Sequence, residues 1–221
     1  SLRHRKPGTH LTQHREGRLV GYGHIDVAGE HPVAELMVEP GADPRGLLSV
    51  IVDTAGPGVR IWAKGDDAPL NDGLPGLGVT LERTLVKLRR PLAEPPLPAS
   101  VWAPGATVRT FETGRDEAAW LEVNNAAFAG NPEQSGWTMA DIERREQEPW
   151  FDPSGFFLAE YDGKLAGFHW TKVHEGVGRY GEVYVIGVAP GMQGKRLGEA
   201  LLLHGLHHLR DEGLQTVVLY V

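Results

Sequence analysis

Leucines at 197, 201, 202, 206 and 209 recur at helical spacing and describe one buried face of a helix that runs on from Gly194 and stops before Gly213. Upstream, "GEVYVIGV" (181–188) is a β-branched run whose Val183, Val185 and Val188 suit a strand. Before that, "FFLAEYDGKLAGFHWTKV" sets two apolar runs on either side of Asp162-Gly163, a strong hairpin signal. "LQTVVLYV" closes the chain as a last strand. Hairpin, strand, glycine turn, helix and strand make an α/β layout with the helix joining neighbouring strands.

The same pattern occurs earlier. "EGRLVGYGHIDV" (16–27) matches "DGKLAGFHWTKV" (162–173) at an offset of 146 residues, and "AELMVEPGADPRGLL" matches "EVYVIGVAPGMQGKRLG" through Pro40 and Pro190 at an offset of 150. Two copies of one fold are expected, each a mixed central sheet flanked by helices. The proline-dense stretch "PLAEPPLPASVWAPG" continues neither a helix nor a central strand, so the expected division is residues 1–90, a linker at 91–105, and residues 106–221.

Composition narrows the function classes. With 221 residues, 41% of them hydrophobic, the chain can bury a real core. A net charge of -7 argues against nonspecific nucleic-acid binding, which needs excess Lys and Arg. No apolar run is long enough to span a bilayer, and "SLRHRKPGTH" lacks the apolar centre of a signal peptide, so a cytoplasmic protein without a membrane partner is expected. Zero cysteines exclude disulfides, thiolate metal sites and a cysteine nucleophile. No metal site is expected, and the chain is taken as a monomer.

The turn "QGKRLG" raises the chemical question. Unpaired amides in the first turn of a helix, with the helix dipole behind them, make an anion site. The amides of Gly194 through Glu199 are placed to ring a pyrophosphate, with Lys195 and Arg196 adding positive charge. The ordinary alternative is an amphipathic helix that begins with solvated basic residues.

The wider context resembles a known family. "GVAPGMQGKRLGEALL" is similar to the acetyl-CoA signature of the GNAT acetyltransferases, Q/R-x-x-G-x-G/A after a strand: Gln193 and Gly198 fit, and Arg196 replaces the first glycine. "EVNNAAFAGNPEQSGW", "WFDPSGFFLAE" and "LAGFHWTKVHEGVGRYGEVYVIGV" resemble the mycothiol synthases, tandem GNAT enzymes, over nearly all of 106–221 and more loosely over 1–92. The resemblance implies acetyl-CoA as co-substrate. The acceptor it implies is the cysteinyl amine of 1D-myo-inositol 2-(L-cysteinylamino)-2-deoxy-glucopyranoside, acetylated in the last step of mycothiol biosynthesis.

The resemblance also assigns residues. Glu182, Glu133, Lys172 and Tyr220 fall in the substrate site, with Glu182 the base that takes a proton from the amine. Ile186, Gly187 and Val188 supply the strand edge that pairs with pantetheine amides, and Gln193, Gly194, Lys195, Arg196, Leu197, Gly198 and Glu199 the cradle. Gly187 suggests a bulge or a close approach. Ordinary readings stand beside these: Glu133 as a turn or cap, Lys172 and Glu182 as a cross-strand pair, Tyr220 as packing.

The first copy departs from the signature. Asp43 stands opposite Gln193, Pro44 opposite Gly194 and Leu48 opposite Gly198, while Gly46 takes the position of Arg196. Pro44 removes an amide and Asp43 opposes a phosphate, so the first copy is read as a frame and the second as the catalyst. Against the family the chain reads as truncated at its C-terminus, before a helix that carries a cofactor loop and a general-acid tyrosine. Two other functions remain open: a GNAT enzyme for another small amine or a protein N-terminus, and a noncatalytic acetyl-CoA-binding module.

Overall fold

The computed structural model describes residues 8–27, 32–63, 76–131, 134–176 and 178–221. It divides into two compact units, the first ending at Thr84 and the second running from Leu85 to Val221.

The first unit holds a four-stranded sheet in the order β1 (Thr9–Arg15), β2 (Arg18–Asp26), β3 (Val33–Val38) and β4 (Arg60–Ala63), with helix α1 (Arg45–Ala55) between β3 and β4. The first three strands are antiparallel neighbours and β4 runs parallel to β3. Leu47, Leu48 and Ile51 on α1 pack against Ile25, Ala34 and Leu36 of the sheet. The apolar face of α1 is thereby removed from water, which is the main force holding helix to sheet.

The second unit holds a six-stranded mixed sheet in the order β5-β10-β9-β8-β7-β6. Its strands are β5 (Lys87–Pro91), β6 (Ala106–Thr110), β7 (Phe156–Tyr161), β8 (Lys164–His174), β9 (Tyr180–Val188) and β10 (Thr216–Tyr220). Helices α2 (Glu117–Ala127) and α3 (Met139–Glu146) precede the β7–β8 hairpin, and α4 (Leu197–Asp211) joins β9 to the parallel strand β10. On one face Trp120 of α2 is buried among Phe156, Phe168 and Trp170. On the other, Leu206 and Leu209 of α4 pack with Val183, Leu214 and Val217. The helix predicted from the leucine spacing is therefore present, with Leu197, Leu201, Leu206 and Leu209 buried and Leu202 partly so. Gly213 follows it at φ 81°, the left-handed conformation that ends many helices.

Several local features recur in both units. The β1–β2 turn has Glu16 at φ 51° and Gly17 at φ 79°, and the β7–β8 turn has Asp162 at φ 49° and Gly163 at φ 73°. Positive φ at both central residues is the twist-compatible geometry of a tight hairpin. Each hairpin also shifts register at the corresponding place, between Gln13 and His14 in one and Ala159 and Glu160 in the other. After the third strand the same hydrogen bond recurs, Glu39 N to Val20 O and Ala189 N to Ala166 O.

The expected seam moves. Residues 85–90, assigned above to the first copy, belong to the second unit, because β5 pairs antiparallel with β10 from Lys87↔Tyr220 to Pro91↔Thr216. The proline-dense stretch is not a free linker either: Leu92 and Leu97 are buried against Leu206, Leu209 and Leu214. Beyond Pro91 and Leu92 its prolines offer no ladder donors, but its leucines remain free to pack.

Candidate active site

The site lies where β9 leaves β10. The parallel ladder joins Val217↔Gly181 and Val218↔Glu182 and stops there, although β10 continues through Leu219 to Tyr220. Beyond Glu182, Ile186, Gly187 and Val188 pair through one edge with His169, Phe168 and Gly167 of β8, and their other edge lies on the β10 side. That edge leads to the loop 189–196 and the first turn of α4. In that turn the first backbone amide with a helical acceptor is Ala200, bonded to Arg196 O at 3.1 Å. The amides of Leu197, Gly198 and Glu199 precede it and form the positive end of a helix of 15 residues.

An irregularity in β9 aims the side chains. Trp170 pairs with Val185 and Thr171 with Val183, so Tyr184 is an extra residue, a β-bulge. Alternation breaks there: Val183 and Ile186 face α4, while Tyr184 and Val185 join the aromatic core on the α2 side. The expected bulge at Gly187 is thus three residues earlier. What Gly187 provides is close approach, since a Cβ there would stand 3.0 Å from Phe168 Cε1 and 3.3 Å from Ala127 Cβ.

Glu182 and Lys172 are direct cross-strand partners on β9 and β8. Lys172 Nζ lies 4.0 Å from the centre of the Trp150 ring and 5.4 Å from that of Tyr184, so its charge sits over two aromatic faces. Burial pulls the Lys172 ammonium below the ordinary lysine range, opposed by the Glu182 carboxylate. Burial likewise pushes the Tyr184 phenol up. Glu182 also accepts a hydrogen bond from His174 Nε2, and its side chain is only 12% exposed. The His174 ring stacks on Tyr180 at 4.5 Å. Lys87 Nζ stands 5.4 Å from the Tyr180 ring centre and 5.5 Å from that of Tyr220, which is exposed at the end of β10.

The structure brings Glu182, Lys172 and the 186–188 edge into one strand pair, and Tyr220 onto the adjoining strand. Glu133 lies outside the described residues. Its neighbours are held by "NN" on α2: Asn124 Nδ2 donates to Gln134 O at 2.8 Å, and Asn125 exchanges two bonds with the Trp137 backbone at 2.9 and 3.0 Å. Trp150, Tyr184, His174 and Lys87 were missed from sequence. The first three stand inside the quoted family stretches or beside Glu182, and that proximity was the available signal.

In the cradle, Gln193, Gly194, Lys195, Arg196 and Glu199 are exposed, Gly198 is half-buried and Leu197 is buried in the core. Lys195 Nζ lies 4.5 Å from the Tyr161 ring centre. Arg196 is the helix N-cap at φ 59° and ψ 15°, left-handed backbone that glycine adopts without cost. Its guanidinium bonds to Glu199 at 2.9 and 3.1 Å rather than reaching over the helix amides.

The first unit differs at the same place. Six residues (39–44) separate β3 from α1, against eight (189–196) between β9 and α4. The helix N-caps are Pro44 and Arg196, so the structural counterpart of Arg196 is Pro44 and not Gly46. Asp43 Oδ1 already accepts from the first-turn amide of Arg45 at 3.0 Å. The parallel pairing of β3 with β4 runs from Val33↔Arg60 to Leu36↔Ala63, whereas in the second unit it stops at Glu182 before Leu219 and Tyr220.

A family model described as "Acetyltransferase (GNAT) family" matches residues 119–221. A mycothiol acetyltransferase from Thermomonospora curvata is 50% identical over 212 residues, covering 93% of this chain and 71% of the relative. The chain belongs to the mycothiol acetyltransferase family. Its fold is similar to that of a GCN5-related N-acetyltransferase from Sphaerobacter thermophilus, with TM-score 0.74 and 22% identity over 93% of this chain and 69% of that one. It is also similar to a tandem GNAT protein from the clavulanic acid biosynthesis pathway, with TM-score 0.64 and 18% identity over 100% of this chain and 77% of that one. The α/β fold with mixed sheets and flanking helices and the acetyltransferase class accordingly stand. Among the described residues no helix is long and apolar enough to cross a membrane, and no group of three or more metal-ligating side chains occurs.

Proposed function

We propose that the chain transfers the acetyl group of acetyl-CoA to the cysteinyl amine of the glucosaminyl-inositol precursor of mycothiol. The observation that carries this reading is the parting of β9 from β10 immediately after Glu182, where Leu219 and Tyr220 no longer pair with β9, which sets a carboxylate at the splay of a strand that leads to a helix N-terminus. Pantetheine amides would pair with the edge at Ile186–Val188 as an added strand does. The pyrophosphate would meet the amides of 197–199, with Gln193 through Arg196 forming the loop around it.

Glu182 takes a proton from the attacking nitrogen. As it does so, the nitrogen lone pair forms the C–N bond to the acetyl carbonyl carbon, the C–S bond breaks, and sulfur leaves as thiolate to be protonated from solvent. Lys172, Tyr220 and Glu133 contact the polyhydroxyl acceptor. Six residues from Glu182 to Val188 of extended strand span roughly 20 Å, which keeps the carboxylate at the reacting end and away from the phosphates.

The recurrence of hairpin, strand, helix and parallel strand, together with the fold likeness to a tandem GNAT protein, supports a tandem arrangement with the chemistry in the second copy. Incubating the chain with acetyl-CoA and the precursor, and following the N-acetylated product by mass spectrometry, tests the reading. Acceptance of aminoglycosides or peptide N-termini instead of the precursor would replace the substrate. With the precursor, Glu182→Gln should lower kcat by about 10² to 10⁴ with acetyl-CoA affinity nearly unchanged. Normal turnover would move the base elsewhere, Glu133 first.

A further inference from the structure

We propose that His174 is a positioning residue for Glu182, holding one carboxylate oxygen so that the other is the proton acceptor. The inference rests on Glu182 being the base. A carboxylate only accepts, so the bond between His174 Nε2 and Glu182 Oε2 requires the imidazole to carry its proton on Nε2. Among the described residues no hydrogen bond or ion pair engages Glu182 Oε1.

The imidazole is itself held. His174 and Tyr180 are direct partners across the β8–β9 ladder, and their rings stack at 4.5 Å with an interplanar angle of 12°. Lys87, on the second strand away, places Nζ 5.4 Å from the Tyr180 ring centre. Glu182 is the diagonal neighbour of His174, two residues from Tyr180 on the same strand, within reach of a long side chain. On its other flank Lys172 is occupied with Trp150 and Tyr184 and does not share the oxygen that His174 holds. A flexible glutamate on a strand next to an opening has several rotamers; a donor fixed by a ring stack selects one. General-base catalysis depends on the acceptor oxygen being within hydrogen-bond reach of the proton, so the selection acts on kcat.

Two substitutions in the whole chain separate this role from mere packing. His174→Phe keeps a ring for Tyr180 and removes the donor, while His174→Gln replaces the ring by an amide whose N–H can reach the same oxygen. His174→Phe should lower kcat roughly tenfold to a hundredfold, the range typical of outer partners that orient a functional group, with KM for acetyl-CoA within about twofold of wild type. His174→Gln should recover most of the loss. In a Glu182→Gln background, His174→Phe should add almost nothing, because it acts through Glu182.

If Glu182→Gln is impaired but His174→Phe turns over normally, the positioning role is wrong and the base stands. If Glu182→Gln turns over normally, the base assignment fails and this proposal fails with it. If His174→Gln is as slow as His174→Phe, the ring and not its donor matters, and the proposal is overturned. Should His174→Phe lose the fold, His174→Ala with and without added imidazole makes the same comparison: rescue supports the role and its absence overturns it.

Discussion

Gly205 of α4 lies against the imidazole of His169 so closely that a Cβ there would overlap Nδ1 and Cε1 of the ring. The absence of a side chain lets the ring reach the helix backbone, where His169 Nδ1 bonds to Leu201 O at 2.8 Å. A carbonyl accepts, so Nδ1 carries the proton, and Nε2 is buried with no hydrogen-bond partner among the described residues. Strand β8 is thereby tied to the interior of the helix whose first turn forms the candidate phosphate cradle.

Replacing Gly205 by Ala should therefore destabilise the second unit although alanine favours helices. The methyl group must push back the imidazole, and it also crowds Thr171, whose Cγ2 would lie 3.0 Å away. Overpacking of this kind costs about 1 to 3 kcal/mol, more than the helix-propensity gain of under about 1 kcal/mol. Urea unfolding checks it, and a midpoint at or above wild type would show that the ring gives way freely.

A buried imidazole and a half-buried carboxyl set opposite slopes of stability against pH. Burial, with smaller contributions from His204 and His208, lowers His169 from 6.5 to about 4. In the window from about 6.5 down to 4 the unfolded chain takes up a proton that the folded one refuses, so stability falls as pH falls. Burial, together with neighbouring Glu117 and Glu143, raises Glu146 from 4.5 to about 7. There the folded state binds the proton more tightly: its contribution is full below about 4.5 and is lost as pH rises through about 7. Glu146→Gln should accordingly raise Tm at about pH 8 and leave it near wild type at about pH 4.5. An equal gain at both pH values would show that the carboxyl does not titrate in that window.

Much of this was legible where local chemistry decides. Asp162-Gly163 fixes its hairpin through two positive φ values, and the α4 leucines announce a buried face. The site was less so, because its geometry is made across strands. Nothing near Tyr184 marks it as the bulge that puts Tyr184 and Val185 on the same face. The His174–Glu182 bond joins residues on two strands whose register depends on that bulge. The strand at Lys87–Pro91 carries mostly exposed side chains, so it has no apolar alternation to read. Helices α2 and α3 went unassigned: α3 buries only Ile142, and α2 buries the polar Glu117 and Asn124 beside its apolar residues.

Arg196 predicts a separation of stability from affinity. A non-glycine residue at φ 59° costs roughly 1 kcal/mol relative to glycine, while its exposed pair with Glu199 returns little. Arg196→Gly should raise stability by about 1 kcal/mol. Acetyl-CoA affinity should fall modestly, on the order of 1 kcal/mol, because a cation beside the phosphates is lost. Thermal unfolding and calorimetry measure the two. Tighter binding in the variant would show that the side chain, swung over from Glu199, obstructs the cradle.

The two units should differ in cofactor binding. In the first, Asp43 caps the helix with a carboxylate, Pro44 offers no amide, and the strand edge at Leu36 is closed by Ala63. A phosphate entering there would have to displace an anion already bonded to the Arg45 amide, and pantetheine would have to unzip a ladder. In the second unit, the amides of 197–199 lack helical acceptors and β9 parts from β10 after Glu182. Calorimetric titration of the whole chain with acetyl-CoA should thus give close to one site per chain. Gly198→Asp, which puts a carboxylate into the second cradle where a Cβ meets only Val188 Cγ2 at 3.6 Å, should abolish that site without unfolding the protein. Binding that survives Gly198→Asp would place the working cradle in the first unit, and two sites of similar affinity would show that both cradles bind.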